Sequence, residues 1–375
     1  VYHVVGDGMH ERTDGNIRDN GVPEDPVNTL GYLKTFFTWM PRISEALDLD
    51  EKKREKWLEI AENLAPYPKG TIREIQENPT LWKEVDVKLE DLLPEEMLDK
   101  EIYYDEGIGG KWSFHFPGNV MQIYPGNAIG LGSAPEELEV ARNTVQIHAL
   151  VENALGELEY RKALEEAEFA DKDNANNLLF NSNGELENGE AYSNGMESGG
   201  VKNPHFYKAG AFNASNLSCL FFTAAVRVGY APEIIWKEMR DMILNRGIPN
   251  GFLKENPHGI EQLNTIPDAI QEMMLQSCEG VIRIFPVWPS AEHPNASFRN
   301  FRAWGGLEVS AALKDGEVER VSILSHKGHP CRVKNPWPGK SVKVSYEYGR
   351  PNEVHFGEYL NIELYKEEHA ELFRI

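Results

Sequence analysis

The spacing of hydrophobic residues changes once along this 375-residue chain, near residue 280, and this change restricts the possible folds more than any other feature. From Thr29 to Ser277 the apolar residues recur every three or four positions, which predicts a series of amphipathic helices. From Gly280 onward they alternate with polar residues, which predicts β-strands. The sequence therefore predicts an α+β protein, with a helical domain over residues 1–279 and an antiparallel β-sheet domain over residues 280–375.

The individual elements follow from the same periodicity. Helices joined by loops of mixed length favour helical hairpins packed side by side, and Lys314-Asp-Gly-Glu predicts a turn between two strands. The predicted helical stripes are Tyr32, Phe36, Phe37, Met40, Ile43 and Leu47; Trp57, Ile60 and Leu64; Leu138, Ala141, Val145, His148, Ala149 and Val151; Leu217–Val228, apolar on nearly all sides; and Ile234, Met239 and Ile243. The predicted strands are 281–285, 307–313, 318–324, 342–346 and 359–364.

One further helix has a well-marked beginning. Thr265-Ile-Pro-Asp combines a hydroxyl N-cap, a proline in the first turn and an acid at the third position. Ile266, Ile270, Met273, Met274 and Ser277 then predict a buried stripe. The loop before a buried helix is a common place for functional side chains.

Composition excludes several classes of partner and site. A formal net charge of −22 disfavours nucleic acids and anionic membranes as partners. The three cysteines, Cys219, Cys278 and Cys331, lie too far apart in sequence to suggest a disulfide framework or a zinc site. No phosphate-binding glycine loop, metal-binding histidine pair or serine-hydrolase elbow is present. We therefore predict no metal and no cofactor.

Three polar loops contain the candidate site residues. The chemistry of these loops suits a sugar, since aromatic faces pack on its C–H surfaces while amides, imidazoles and carboxylates bind its hydroxyl groups. The candidates are Glu11 and Arg12; Trp112, His115 and Asn119; and His258, Glu261 and Asn264.

Two carboxyl groups from separate loops match the requirement of glycosidic-bond cleavage. One must be protonated to donate to the leaving oxygen, and the other must be ionised to activate water or to attack. Alternatively, Glu11 is a surface acid paired with Arg12, and Glu261 is a capping or salt-bridge carboxylate. The residues alone leave both alternatives open.

Several segments share a family pattern when they are taken in order. They are Phe116-Pro-Gly-Asn-Val-Met-Gln-Ile-Tyr-Pro-Gly-Asn, Ile260-Glu-Gln-Leu-Asn, Glu272-Met-Met-Leu-Gln-Ser, Ile282-Arg-Ile-Phe-Pro-Val-Trp-Pro, Phe301-Arg-Ala-Trp-Gly-Gly-Leu-Glu-Val and Gly328-His-Pro-Cys-Arg-Val. Together they resemble glycoside hydrolase family 95, which consists mainly of alpha-L-fucosidases and alpha-L-galactosidases. The segment around residues 6–20 is also similar, more distantly, to a catalytic loop of family 65.

The resemblance implies an (α/α)6 barrel followed by a β-domain, and hydrolysis with inversion at the anomeric carbon. Glu11 falls in the loop of the family's general acid. Glu261 takes the place of an aspartate in the family's Ile-Asp-Gly-Asn motif, and Asn264 corresponds to a nearby asparagine. Asn119 stands where the family has a sugar-contacting histidine, and His258 is displaced from another, so the identity of the sugar stays open.

The resemblance lacks a counterpart for the family's N-terminal β-sandwich and first barrel hairpins. We therefore expect a partial (α/α)6 toroid with an exposed apolar seam. The expected partners are a glycan substrate and the missing N-terminal part of the same enzyme. The alternative function is a non-catalytic carbohydrate-binding or scaffold protein. Relatives are often periplasmic or extracellular, and the sequence leaves the compartment open.

Overall fold

The computed structural model describes Tyr2 and residues 25–77, 89–104, 118–150, 219–249, 251 and 263–375. The chain divides into two compact units. One consists of Val1–Val228 and Glu238–Ile266, and the other of Gly229–Lys237 and Pro267–Ile375. The first unit is mainly helical and the second contains an antiparallel sheet, so the described fold is α+β, as predicted. The predicted domain boundary at residues 279 and 280 stays a prediction.

The helical unit begins with a hairpin of two helices, α1 (Val27–Leu47) and α2 (Arg54–Asn63). Helix α1 ends at Asp48, which adopts a left-handed conformation with φ of 53° and donates its N–H to Glu45 O. Arg54 Nε then donates to Ser44 Oγ at 2.9 Å. This bond joins the start of α2 to the last turns of α1 and fixes the hairpin.

Both helices of the hairpin were predicted, but their apolar residues are poorly covered. Helix α1 buries residues mainly in its first turns, and α2 has no buried residue. The large apolar residues of α1 that are exposed are Tyr32, Phe36, Ile43 and Leu47. The helical period thus predicted the helix correctly, while burial of the stripe requires a covering element that the described residues do not supply.

Short elements follow the hairpin. Strands β1 (Lys69–Thr71) and β2 (Glu101–Tyr103) pair antiparallel, within the part of the chain that was predicted to be the helical domain. Helices α3 (Ile72–Glu77) and α4 (Leu89–Leu92) lie between them in sequence. Their apolar side chains form one buried cluster, which consists of Ile72, Ile75, Leu89, Leu93, Leu98, Ile102 and Ile147.

The later helices are α5 (residues 135–150), α6 (Cys219–Arg227) and α7 (Pro232–Arg246). Helix α5 buries the predicted stripe up to Ala149, and Val151 lies outside the described residues. Residues 221–228 are all buried, which confirms the prediction for α6.

The predicted face of α7 was correct at Met239, which is buried, and wrong at Ile234 and Ile243, which are exposed. Ile235 and Met242 are buried instead. Because apolar residues occur on both sides of this helix, the periodicity did not determine which side faces inward.

Helix α8 spans Thr265–Met274 and is shorter than predicted. Leu275 and Gln276 form strand β3, so Ser277 lies outside the helix. The fully buried positions are Ala269 and Met273, flanked by the partly buried Ile266, Ile270 and Met274. The predicted N-cap bond was also wrong. Thr265 is itself helical, and its buried Oγ1 has no hydrogen-bond partner among the described residues.

The second unit is built on a six-stranded antiparallel sheet with the order β10-β9-β12-β7-β6-β5, together with two-stranded sheets β11-β8 and β3-β4. The strands after β3 are β4 (Arg283–Ile284), β5 (Ala296–Ala303), β6 (Leu307–Lys314), β7 (Glu317–Ser325), β8 (Cys331–Lys334), β9 (Val342–Tyr346), β10 (Glu353–His355), β11 (Tyr359–Ile362) and β12 (Glu368–Arg374).

The sheet confirms most of the strand predictions and adds strands that were missed. Strands β6, β7, β9 and β11 lie where alternation predicted them, and β4 is shorter than predicted. Asp315 and Gly316 form the predicted turn between β6 and β7, both with positive φ. Strands β5, β8, β10 and β12 were not predicted.

The core of this unit lies between the six-stranded sheet and the β8–β11 pair. Val309, Ile323 and Leu372 from the larger sheet and Val333 and Leu360 from the smaller one belong to one buried cluster. This arrangement buries one face of the large sheet, and the side chains on its other face are partly or fully exposed. No helix among the described residues is both long enough and apolar enough to cross a lipid bilayer.

Candidate polar site around Asn119

Most of the predicted site residues lie outside the described residues. These are Glu11, Arg12, Trp112, His115, His258 and Glu261. Asn119 and Asn264 are described, and their environments differ. Asn119 is fully buried in the helical unit, whereas Asn264 is exposed in a turn directly before α8.

Asn119 lies in a single 3-10 turn, Gly118–Val120. Its Nδ2 donates to the carbonyl oxygen of Tyr103 at 3.4 Å, at the end of strand β2. Its Oδ1 is buried and has no hydrogen-bond partner among the described residues. A buried acceptor without a donor costs about 1–3 kcal/mol, so this oxygen is a position where a donor group would bind favourably.

Gln122 provides a second such oxygen, one turn further along the chain. Its side chain is also fully buried, and its Nε2 donates to Asn119 O at 2.9 Å. That bond fixes the amide orientation, and Oε1 is left without a partner among the described residues. Each of these two neighbouring side-chain amides therefore donates one N–H within the protein, and its carbonyl oxygen has no partner among the described residues.

Close packing against α1 holds this segment in place. Gly31 of α1 lies so near Gln122 that a Cβ atom added at Gly31 would come within 2.6 Å of Gln122 Cα. Thr35 Oγ1 also donates to Gly126 O, one helical turn further along α1. Glycine at position 31 is thus required by the close approach of the two backbones.

Two tyrosines, the buried Tyr103 and the half-buried Tyr67, contribute to the same unit. Their rings make an edge-to-face contact with centroids 5.8 Å apart. Burial raises the pKa of both hydroxyl groups, and the negative charge of Glu137 adds to the effect. Both tyrosines therefore stay protonated at neutral pH, and Tyr67 Oη has no hydrogen-bond partner among the described residues.

A buried arginine fixes the end of the segment. The Arg227 guanidinium of α6 lies over the Tyr124 ring at 4.7 Å from its centroid. Its Nη1 also donates to Asn127 Oδ1. Arg142 Nε of α5 in turn donates to Val228 O at 2.6 Å. The site is therefore held from α1, α5 and α6.

The two amide oxygens are acceptors by their chemistry, but both side chains are fully buried, so a ligand reaches them only if neighbouring residues move. A polyol such as a sugar supplies hydroxyl donors that match the two amide oxygens. General acid–base hydrolysis needs carboxyl groups as well, and the two predicted ones, Glu11 and Glu261, lie outside the described residues.

Sequence reasoning identified Asn119 but missed Gln122 and Tyr67. Gln122 stands alone among apolar neighbours in Val120-Met-Gln-Ile. A polar residue in an apolar run is a signal of a buried polar group and could have identified it. Tyr67 lies in a Pro-Tyr-Pro segment that gives no such signal.

Within the described ranges, no group of three or more histidine, cysteine, aspartate or glutamate side chains is placed to hold a metal ion. In comparisons with known proteins, no protein-family model matches the chain and no curated protein matches it.

Proposed function

We propose that this chain is a glycoside hydrolase-like protein that cleaves an alpha-glycosidic bond with inversion, as part of a longer chain. In this proposal its helices form a segment of an (α/α)6 toroid. The order of the two compact units, helical and then antiparallel β, supports the proposal, and so does the α1–α2 hairpin. A glycan is the substrate, and the missing N-terminal part of the enzyme is the expected partner.

The observation that carries the proposal is that the amide oxygens of Asn119 and Gln122 have no hydrogen-bond partner in the described part of the chain. Both lie in the Phe116–Asn127 run, which resembles the family's sugar-contacting segment. One N–H of each amide donates within the protein, which orients the amide, and a carbonyl oxygen can only accept. Sugar hydroxyl groups are donors of the required type, and they carry no charge that burial would penalise.

The chemical roles come from the sequence resemblance. Glu11 donates a proton to the leaving oxygen, and Glu261 helps to activate the attacking water. Inversion follows when water attacks the face opposite to the leaving group, which requires the two carboxyl groups to stand on opposite sides of the sugar ring.

Kinetics of the complete protein test the proposed hydrolysis. Glu11→Gln should abolish cleavage of alkyl alpha-glycosides, whose leaving groups need protonation, and should spare activated aryl glycosides far more. Proton NMR of the first-formed sugar should show the inverted anomer. Glu292→Gln, at an exposed carboxylate, is the matched control and should change nothing. Near-normal cleavage of alkyl glycosides by Glu11→Gln would contradict the assignment.

The non-catalytic alternative is tested by binding. Calorimetric titration of a panel of oligosaccharides against Glu11→Gln measures affinity without turnover. Asn119→Leu should weaken any binding at least tenfold, because a sugar hydroxyl loses its acceptor in a buried position. Sugar affinity without hydrolysis in the parent protein would favour the binding module. Absence of both would refute the two functions together.

A further inference from the structure

One face of helix α1 is apolar and exposed over most of its length. The side chains of Tyr32, Phe36, Ile43 and Leu47 are 40%, 53%, 46% and 62% exposed. At 3.6 residues per turn these four positions fall within an arc of roughly 60° along about 22 Å of helix. We call these four residues the α1 stripe. Large apolar patches of this kind on a protein surface mark interaction sites.

No neighbouring element in the described part of the chain covers the α1 stripe. Helix α2 packs against α1 and buries none of its own residues. Leu49 and Leu58 nearby are also 59% and 44% exposed. The hairpin therefore presents apolar surface to solvent, although its sequence has the periodicity of a helix with a covered face.

The α1 stripe is symmetric about its own centre, which lies between Trp39 and Met40. Tyr32 and Leu47 are equally distant from that point along the helix, and so are Phe36 and Ile43. A two-fold axis through the centre would pair two antiparallel copies of α1. Each aromatic residue would then face an aliphatic one, with Tyr32 against the partner's Leu47 and Phe36 against the partner's Ile43. Such self-complementarity is what an isologous interface requires.

The size of the α1 stripe suits a dimer. At about 200 Å² for a whole large apolar side chain, the exposed fractions correspond to roughly 400 Å² of apolar surface per copy. A standard interface buries about 800 Å² per partner, of which somewhat more than half is apolar. The stripe alone thus provides most of that apolar share.

Local charge also permits the approach of two copies of α1. The whole chain carries a net charge of −22, but α1 contains Lys34, Arg42 and a single acid, Glu45. The acidic repulsion between copies therefore comes mainly from outside the helix. Salt screens this repulsion between copies, and salt does not weaken the apolar contact.

We propose that the α1 stripe is an isologous homodimer interface, with the α1 helices of two copies packed antiparallel. This interface does not depend on the proposed hydrolysis. The competing occupants are another segment of this chain and a barrel segment of a longer chain, and the following experiment separates them from a second copy.

Sedimentation equilibrium of the full chain tests the proposal. We expect a dimer at micromolar concentration that tightens as salt rises from 50 to about 500 mM. Phe36→Glu should raise the dimer dissociation constant at least a hundredfold, because a charge would be buried against the partner's Ile43. Ile243→Glu is the matched control, because Ile243 is also 53% exposed but lies on α7, and it should leave the constant unchanged. Circular dichroism checks that each variant is folded.

A charge-pair rescue tests the antiparallel register. Ile43→Lys alone should also weaken the dimer, and combining it with Phe36→Glu should restore association at least tenfold. Across the two-fold axis, the new acid at position 36 of each copy faces the new base at position 43 of the other copy, which gives two ion pairs. Within one helix the two positions are seven residues apart, which is too distant for them to pair. A monomeric parent chain, aggregates without defined size, an unaffected Phe36→Glu variant or an absent rescue would each overturn the proposal.

Discussion

The Arg350 guanidinium holds together several acidic and aromatic groups of the sheet unit. Its Nη1 lies 3.0 Å from Glu368 Oε2, and its Nη2 lies 3.0 Å from Glu353 Oε1. It also lies over the rings of Tyr346 and Tyr365, at 3.9 Å and 4.9 Å from their centroids. The Glu368 side chain is only 7% exposed. We therefore predict that Arg350→Ala destabilises this unit more strongly than loss of a surface ion pair.

The expected loss in the free energy of unfolding follows from the buried Glu368 carboxylate, which Arg350→Ala leaves without its cation. Removing one partner of a buried ion pair costs about 3–5 kcal/mol, because the other charge stays buried without compensation. The lower end applies here, since the Tyr365 N–H still donates to Glu368 Oε2 at 2.8 Å. The two ring contacts add about 0.5–1 kcal/mol each at this degree of exposure. We expect a loss of about 4 kcal/mol in the free energy of unfolding.

Urea unfolding followed by circular dichroism measures this loss. Arg302→Ala is the matched control, since its side chain is 68% exposed and its ion pair with Glu308 spans 3.2 Å. That change should cost less than about 1 kcal/mol. Adding Glu368→Gln to Arg350→Ala should recover more than half of the loss, because the uncompensated charge is removed. A loss below about 1.5 kcal/mol, or no recovery in the double variant, would refute the reasoning.

Two further predictions concern titration in the sheet unit. Burial raises the pKa of the Cys331 thiol to about 12. At pH 8 iodoacetamide should therefore label the partly exposed Cys278 and leave Cys331 unmodified until urea unfolds the protein. Peptide mass spectrometry measures the labelling of each cysteine. Burial alone would raise the pKa of Glu353, but favourable interactions with Tyr346 and His355 lower it below its ordinary 4.5. Its contribution to stability is therefore present above pH 4.5 and is lost as the pH falls through the lowered pKa. Urea midpoints between pH 6 and pH 3 should fall less steeply in Glu353→Gln, and an identical slope would exclude this carboxyl as a source.

Strand β12 shows why some elements could not be predicted from the sequence. Its inward positions are Glu368, Ala370 and Leu372, and a charged residue at the first of them conceals the alternation of buried and exposed side chains. That carboxylate is compensated by Arg350, which approaches it from another loop, and by the Tyr365 N–H. Strand β5 was missed for a related reason, since a register shift between Phe298 and Phe301 interrupts its alternation.

The same limit applies to the candidate site. The sequence identified Asn119 as a candidate, but the bond from its Nδ2 to Tyr103 O, which orients the amide, depends on where strand β2 lies. No local pattern relates Asn119 to that strand, which is sixteen residues away in sequence. Hydrogen-bond satisfaction is a property of the assembled tertiary structure, so the sequence does not reveal it.

Helix α1 shows that the period of the apolar residues predicts a helix but does not determine which element covers its apolar side. Tyr32, Phe36, Ile43 and Leu47 follow a helical period, and the helix forms as that period predicts. The same period would result from a face covered by its own chain, by a further barrel hairpin or by a second copy, because each requires only one apolar side. The symmetry of the stripe about its centre is what a two-fold interface requires, but spacings of four and seven residues follow from any helical period, so the symmetry by itself does not choose among these occupants. The charge-pair rescue depends on the two-fold pairing itself, so it can decide the occupant without any knowledge of the reaction.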